Sequence, residues 1–221
     1  MYFHNTDETI DDLDSYKIIQ KKNGYRFSDD SVQLANFILP LKPMDSVIDL
    51  GTGSGVIPLI LTQKSPVQNI VGIEIQEGLS DIAKRNVEIN NLSSRIRIIE
   101  GDFRTITDNK LFKSNSFSVV VSNPPYTQFK TGRVSPFSEK AAAKMEFACT
   151  LSELIKISKH LMAENGRIVY IYPVSRLQEM LSIIEDNSLE LVRLEFIFPK
   201  ANGIVKRFLI EVAAKQRLST L

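Results

Sequence analysis

Ser46-Val47-Ile48-Asp49-Leu50 is an apolar run stopped by Gly51-Thr52-Gly53-Ser54-Gly55, and Val56 opens a helical pattern with Pro58 in its first turn, where proline is tolerated. Strand, glycine loop and helix in that order open a βαβ unit. The pattern repeats downstream. Asn69 to Ile75 reads as a second strand, followed by Leu79, Ile82, Ala83 and Val87 at helical spacing. Ile96 to Ile99 and Phe117 to Val121 read as the third and fourth strands. A further helical pattern runs through Ala148, Leu151, Ile155, Ser158 and Met162, with Asn165-Gly166 as its C-terminal cap, and Arg167 to Tyr172 is a fifth strand. Val192 to Phe198 and Phe208 to Val212 alternate in polarity around a turn, so the sheet is expected to finish in an antiparallel pair. The expected fold is α/β, a doubly wound and mostly parallel sheet of about seven strands with an antiparallel last strand.

The chain has 221 residues, a length that suits one domain spanning 1–221, with 1–45 ahead of a core at 46–215. Hydrophobic residues make up 43% and charged residues 24%, the balance of a globular protein. No apolar run approaches the ~18 residues of a membrane span. The acidic N-terminus does not resemble a secretory signal, so a cytoplasmic location is expected. Cys149 is the single cysteine, which excludes an intrachain disulfide, and its apolar context reads as core packing. With only His4 and His160 beside it, no metal site is expected.

Net charge is +1, but the charges are clustered. Asp7, Glu8, Asp11, Asp12 and Asp14 precede three basic segments, Lys17–Arg26, Lys130–Lys144 and Lys200–Arg217. Each is either solvated surface or part of a phosphate footprint assembled in space.

In an open α/β sheet the ligand lies beyond the carboxyl ends of the strands, which makes Asp49 and the loop glycines Gly51, Gly53 and Gly55 the floor of the expected crevice. Glu74 and Ile75 end the second strand roughly 20 residues beyond the loop, where a carboxylate can accept from both hydroxyls of a ribose. Asp102 and Phe103 after the third strand suit an adenine amino group and its ring. The third glycine of the dinucleotide fingerprint is replaced by Val56, which disfavours a nicotinamide cofactor. With Asp49, Glu74 and Asp102 each closing a strand, the arrangement resembles class I S-adenosylmethionine-dependent methyltransferases, and implies S-adenosyl-L-methionine as the cofactor.

Asn123-Pro124-Pro125-Tyr126 ends the fourth strand on the same edge. Prolines cannot join a ladder, so the chain leaves the sheet stiffly there. The asparagine and proline carbonyls are two acceptors that can orient one planar NH2 group, and Tyr126 is a ring on which a base can stack. Catalysis of this kind rests on orientation, with Asn123, Pro124 and Tyr126 as the candidate catalytic residues and Asn123 also beside the cofactor.

The motif resembles that of amino-methyltransferases acting on adenine, cytosine or the glutamine amide. Gly24-Tyr25-Arg26-Phe27-Ser28-Asp29-Asp30-Ser31-Val32-Gln33-Leu34-Ala35 before the first strand and Thr131-Gly132-Arg133-Val134-Ser135-Pro136 after the motif are similar to the bacterial valine-tRNA adenine-N6 methyltransferases. That resemblance implies N6-methylation of an adenine in RNA, most simply tRNA. It also implies that residues 1–45 cover the cofactor, with Phe27 closing over it; the alternative for Phe27 is a core aromatic beside the first helix. Met145 stands in Ala143-Lys144-Met145-Glu146 where the family usually has histidine. Two other readings stay open: a protein glutamine N5-methyltransferase, which usually carries a helical domain ahead of its core, and a catalytically silent RNA-binding module of the same fold.

Overall fold

The computed structural model describes residues 5–24, 26–106, 112–124, 149–199 and 203–215. The chain opens with a hairpin, β1 (Glu8–Leu13) and β2 (Tyr16–Lys21), followed by α1 (Asp29–Ile38). The repeating units come next: β3 (Ser46–Leu50), α2 (Val56–Lys64), β4 (Asn69–Glu74), α3 (Glu77–Ile89), β5 (Ile96–Glu100) and β6 (Phe117–Ser122). The rest is α4 (Leu151–Leu161), β7 (Met162–Pro173), α5 (Leu177–Asp186), β8 (Leu189–Ile197) and β9 (Arg207–Ala214).

Seven strands form the main sheet in the order β5-β4-β3-β6-β7-β9-β8. The pairs β5/β4, β4/β3, β3/β6 and β6/β7 are parallel, whereas β9 runs antiparallel to both β7 and β8. The expected antiparallel last strand is therefore present, one place in from the edge. Strand order reverses beside β3, between β4 and β6, which opens a crevice at the carboxyl ends of those strands.

Both faces of the sheet are covered, which explains its continuous apolar runs. Val47, Val119, Val121, Val169 and Leu209 pack on one side with residues of α1 and α2. Ile48, Leu50, Val120, Ile168, Tyr170 and Phe208 pack on the other with residues of α4 and α5.

Two local expectations change. The helix expected to run to Asn165-Gly166 ends at Leu161, because Met162 turns extended and pairs with Phe117. The next parallel pairing is Val119 with Arg167, so Ala163 to Gly166 bulge out of the strand rather than cap a helix. Cys149 sits just before Thr150, the N-cap of α4, and packs half-buried against the core beneath that helix.

The hairpin lies outside the main sheet, and its basic and acidic residues meet each other. Lys17 bonds Asp12, and Arg26 bonds Asp11 at 2.8 Å. Exposed pairs of this kind contribute little to stability. The firmer anchor is Glu8, almost fully buried and gripped by Arg85 of α3 through two bonds of 2.6 and 2.8 Å. Arg85 holds the Glu8 carboxyl down to about 2 against the cost of burial.

The asparagines of α3 complete the attachment. Asn90 accepts from the Lys17 amide at 2.9 Å and donates to the Lys17 carbonyl at 2.7 Å. Asn86 does the same for Ile19, at 2.6 and 3.0 Å. One turn apart on a helix and two residues apart on a strand, the two amides act as a substitute ladder for the edge of β2.

Candidate active site

The loop after β3 is closed by backbone bonds from Gly51 and Thr52 to the Ile73 carbonyl, both 2.9 Å, and from Gly55 to the Thr52 carbonyl at 3.0 Å. Gly51, Gly53 and Gly55 have φ of 78°, 59° and 81°, left-handed values that L side chains resist. A side chain at Gly51 would meet no atom of the described residues within 4 Å, so open space lies beside that glycine.

Glu74 supports that loop from β4. One carboxylate oxygen accepts from the Gly53 amide at 2.8 Å and the other from the Gln76 amide at 2.9 Å. Burial raises its pKa, and the backbone donors only partly oppose this. Asp49 is fully buried. Its Oδ2 accepts from the Thr52 hydroxyl at 2.7 Å, whereas Oδ1 has no partner among the described residues. Burial, offset in part by Thr52 and reinforced by the charge of Glu74, pushes the Asp49 carboxyl up to about 7. A buried orphan oxygen beside a second buried carboxylate is unfavourable in isolation and suits a ligand that brings hydroxyls and positive charge. These acceptor oxygens and the open space beside Gly51 thus fit an S-adenosylmethionine nucleoside and its cationic tail.

Gly72 was not singled out from the sequence, yet it shapes this floor. It pairs in register with Asp49, and a side chain there would come 2.9 Å from the Thr52 side chain and from Ile98. The signal was visible: a glycine inside an apolar strand marks a close approach. Asn86 also reaches the loop, donating to the Ser54 carbonyl at 2.9 Å.

Ile75 leaves β4 half-buried beside Glu74. Asp102 stands after β5 as expected, but Arg104 has both of its oxygens, with Nε at 2.9 and 2.8 Å and a terminal nitrogen at 2.5 Å. Burial works against its charge; the Arg104 bonds outweigh this and hold the carboxyl below its usual range. Phe103 is half-buried against the core beneath α4. Phe27 is half-buried on the opposite side of the sheet's core, and its amide donates to Gln20 of β2 at 3.1 Å.

Asn123 follows β6 directly. Its strand is tied to β3 at the crevice edge by the buried Ser122 hydroxyl, which donates to the Leu50 carbonyl at 2.7 Å. The Asn123 Nδ2 donates to Ser31 of α1 at 3.0 Å. Pro124 is half-buried next to it. Tyr126, the segment Lys130–Lys144 and Met145 lie outside the described residues, as does His4. Among the described residues no group of three His, Cys, Asp or Glu is placed to hold a metal ion, and no helix is long and apolar enough to cross a membrane. Burial pushes the Cys149 thiol up to about 12, which leaves it unreactive at neutral pH.

Comparison with known proteins identifies the family. A family model described as a methyltransferase domain matches residues 41–211. A tRNA1(Val) (adenine(37)-N6)-methyltransferase of Flavobacteriaceae bacterium (strain 3519-10) is 26% identical over 204 residues, 92% of this chain and 84% of that protein. One of the same name from Bacteroides thetaiotaomicron is 30% identical over 167 residues, 74% of this chain and 67% of that protein. Among solved structures, Methanocaldococcus jannaschii Trm5 in complex with adenosine superposes with a TM-score of 0.70 at 16% identity, over 97% of this chain and 57% of the larger protein. That likeness is one of fold. The crevice, its carboxylates and the matched family together make the chain an S-adenosylmethionine-dependent methyltransferase, a member of the methyltransferase-domain family alongside the tRNA1(Val) (adenine(37)-N6)-methyltransferases.

Proposed function

We propose that the protein methylates N6 of an adenine in tRNA. The observation that carries this reading is Asn123, bonded to α1 and standing at the carboxyl end of β6, next to the crevice floored by Glu74 and Asp49. Bound there, S-adenosylmethionine would supply a methyl on a sulfonium: the amine nitrogen would take it with its lone pair, the carbon–sulfur electron pair would stay on sulfur, and one N–H proton would pass to water. The chain's own residues have to hold the acceptor nitrogen in line. The Asn123 side-chain carbonyl and the Pro124 backbone carbonyl each accept from the amine, which turns its lone pair toward the methyl. Tyr126 stacks on the base once it is out of its own stack. Glu74 takes the ribose hydroxyls through its second lone pairs, and Gly51, Gly53 and Gly55 let the backbone approach. Ile75 and Phe103 border the adenine, and Phe27 closes over the cofactor. Asp102 takes the adenine amino group while Arg104 keeps it ionised. Residues 1–45 then act as a cover over a core at 46–215, and the protein works in the cytoplasm.

The RNA footprint includes the last basic segment, in which Arg207 pairs with Asp30. In the first, Lys17 and Arg26 already have acidic partners, and Lys22 donates to the Thr6 carbonyl. Beyond β8, on the same edge as Asn123, Phe198 is 74% and Ile204 83% exposed, and Lys206 follows without an ion pair among the described residues. An exposed aromatic flanked by positive charge suits a splayed base of a single-stranded loop. Stacking contributes about 1–3 kcal/mol per base. Phe198→Ala should therefore raise KM for tRNA about tenfold and leave cofactor affinity unchanged; an unaltered KM would remove Phe198 from the footprint.

The activity itself is tested by incubating the protein with labelled S-adenosylmethionine and total tRNA, then analysing nucleosides by mass spectrometry. N6-methyladenosine is the expected product. Label recovered only in protein would overturn the reading in favour of a glutamine amide.

A further inference from the structure

We infer that Ser31 is a positioning residue for the reaction, anchoring the Asn123 amide against α1 at the edge of the crevice; this rests on the methyltransferase reading above. An asparagine amide is planar, with a donor nitrogen at one end and an acceptor oxygen at the other. Only the oxygen end can accept from an incoming NH2 group, and the two ends exchange on a rotation of the terminal torsion, which is broad and roughly two-fold. A serine hydroxyl can donate or accept, so it anchors such an amide rather than choosing its end; against Asn123 it accepts. Asn123 Nδ2 lies 3.0 Å from Ser31 Oγ, and Ser31 is 1% exposed, so water does not compete for that hydroxyl. With the nitrogen held against α1, the oxygen end is turned the other way.

A hydroxyl can do this only if its own backbone is fixed, and α1 is fixed along its whole length. Next to Ser31, Asp30 pairs with Arg207 at the start of β9, 3.3 Å apart. Leu34, Ala35 and Ile38 are fully buried in the core. At the far end, the Arg193 guanidinium lies 3.7 Å from the centre of the Phe37 ring and also bonds the Phe37 carbonyl, while Arg167 donates to the Ile38 carbonyl at 2.7 Å. Asp30 and Ser31, adjacent on the first turn, thus tie α1 to β9 and to the end of β6. The pairing of a residue at 31 with one at 123 has no local sequence signal; the serine reads as an ordinary member of a helical first turn.

The test is a graded series read on kcat, KM and the amide itself. Ser31→Ala should lower kcat about 30- to 100-fold, the scale expected when a reacting group is misplaced by about an ångström. KM for tRNA and Kd for S-adenosylmethionine should stay within about twofold. Ser31→Thr, which keeps the hydroxyl, should recover most of kcat, and Ser31→Cys, of similar volume with a weak acceptor, should fall between. In the wild-type protein without substrate, the Asn123 side-chain amide, identified by its disappearance in Asn123→Ala, should give slowly exchanging NMR signals. These should broaden or shift in Ser31→Ala. A wild-type kcat in Ser31→Ala, a loss confined to KM or Kd, or a folded Thr variant no better than Ala would overturn the role, as would unchanged amide signals. Should the labelled methyl appear on a glutamine amide instead of tRNA, the tRNA reading falls and the same kcat comparison is made on that substrate. A wild-type protein that methylates neither would end both.

Discussion

Asn123→Ala should reduce kcat for methyl transfer by about 10³-fold, with Kd for S-adenosylmethionine changed by no more than about twofold. The size follows from the role. The sulfonium is already an activated donor, so the protein contributes mainly by holding a poorly nucleophilic planar nitrogen in line, and the loss of a polar contact aimed at the reacting centre costs about 10² to 10³. Truncation also leaves the buried Ser31 hydroxyl without its 3.0 Å partner. Cofactor affinity is spared because the groups assigned to the nucleoside belong to other strands: Glu74 to β4 and Asp49 to β3. Single-turnover kinetics with saturating tRNA, beside calorimetric titration of the cofactor, separate the two quantities. Unchanged turnover would remove Asn123 from the reaction. A matching collapse of cofactor affinity would make it a binding residue.

Glu74→Gln should weaken S-adenosylmethionine binding about 100-fold, although the two side chains have the same shape. Each Glu74 oxygen accepts a backbone N–H, from Gly53 at 2.8 Å and from Gln76 at 2.9 Å. A glutamine has one acceptor end, so its NH2 group must face one of those donors and the glycine loop must shift. The ribose loses a charged acceptor as well, and hydrogen bonds to charged groups contribute about 1.5–3 kcal/mol each. Stability responds differently. Burial raises the pKa of Glu74, so the neutral amide relieves part of the cost of burying charge. The mispaired donor works in the opposite direction, and the net loss should stay near about 1 kcal/mol. Calorimetry and thermal unfolding distinguish the two effects; a Kd within about threefold of wild type would dismiss the assigned contact.

Much of this site was legible in the residues because it is local. The turn from β3 into α2 needs left-handed backbone at three positions, and glycines stand at all three. A carboxylate at the end of β4 is marked by its distance from the loop, and the asparagine–proline pair ends β6 where the apolar run ends. The strands themselves follow from continuous apolar runs, which a parallel sheet buried on both faces requires. The helix end near Met162 was misread for an equally physical reason. Asn165-Gly166 carries a strong local signal for a cap, but the pairing of Met162 with Phe117, 45 residues distant in the chain, draws the backbone into the sheet first.

The sequence by itself thus determined the seven strands of the main sheet and the helices after β3, β4 and β6, the glycine floor, the carboxylates at the ends of β3 and β4, and the motif at Asn123; the hairpin β1–β2 and α5 came only with the structure. Tertiary structure alone decided what those groups touch. It brought the acidic and basic runs of the N-terminus face to face in a hairpin, put Arg104 across Asp102, laid Asn86 and Asn90 along β2, and set Ser31 against Asn123. Each of these depends on where a side chain ends up after the backbone has packed. Spacing along the chain encodes which face a residue lies on, not which partner from a distant element meets it there.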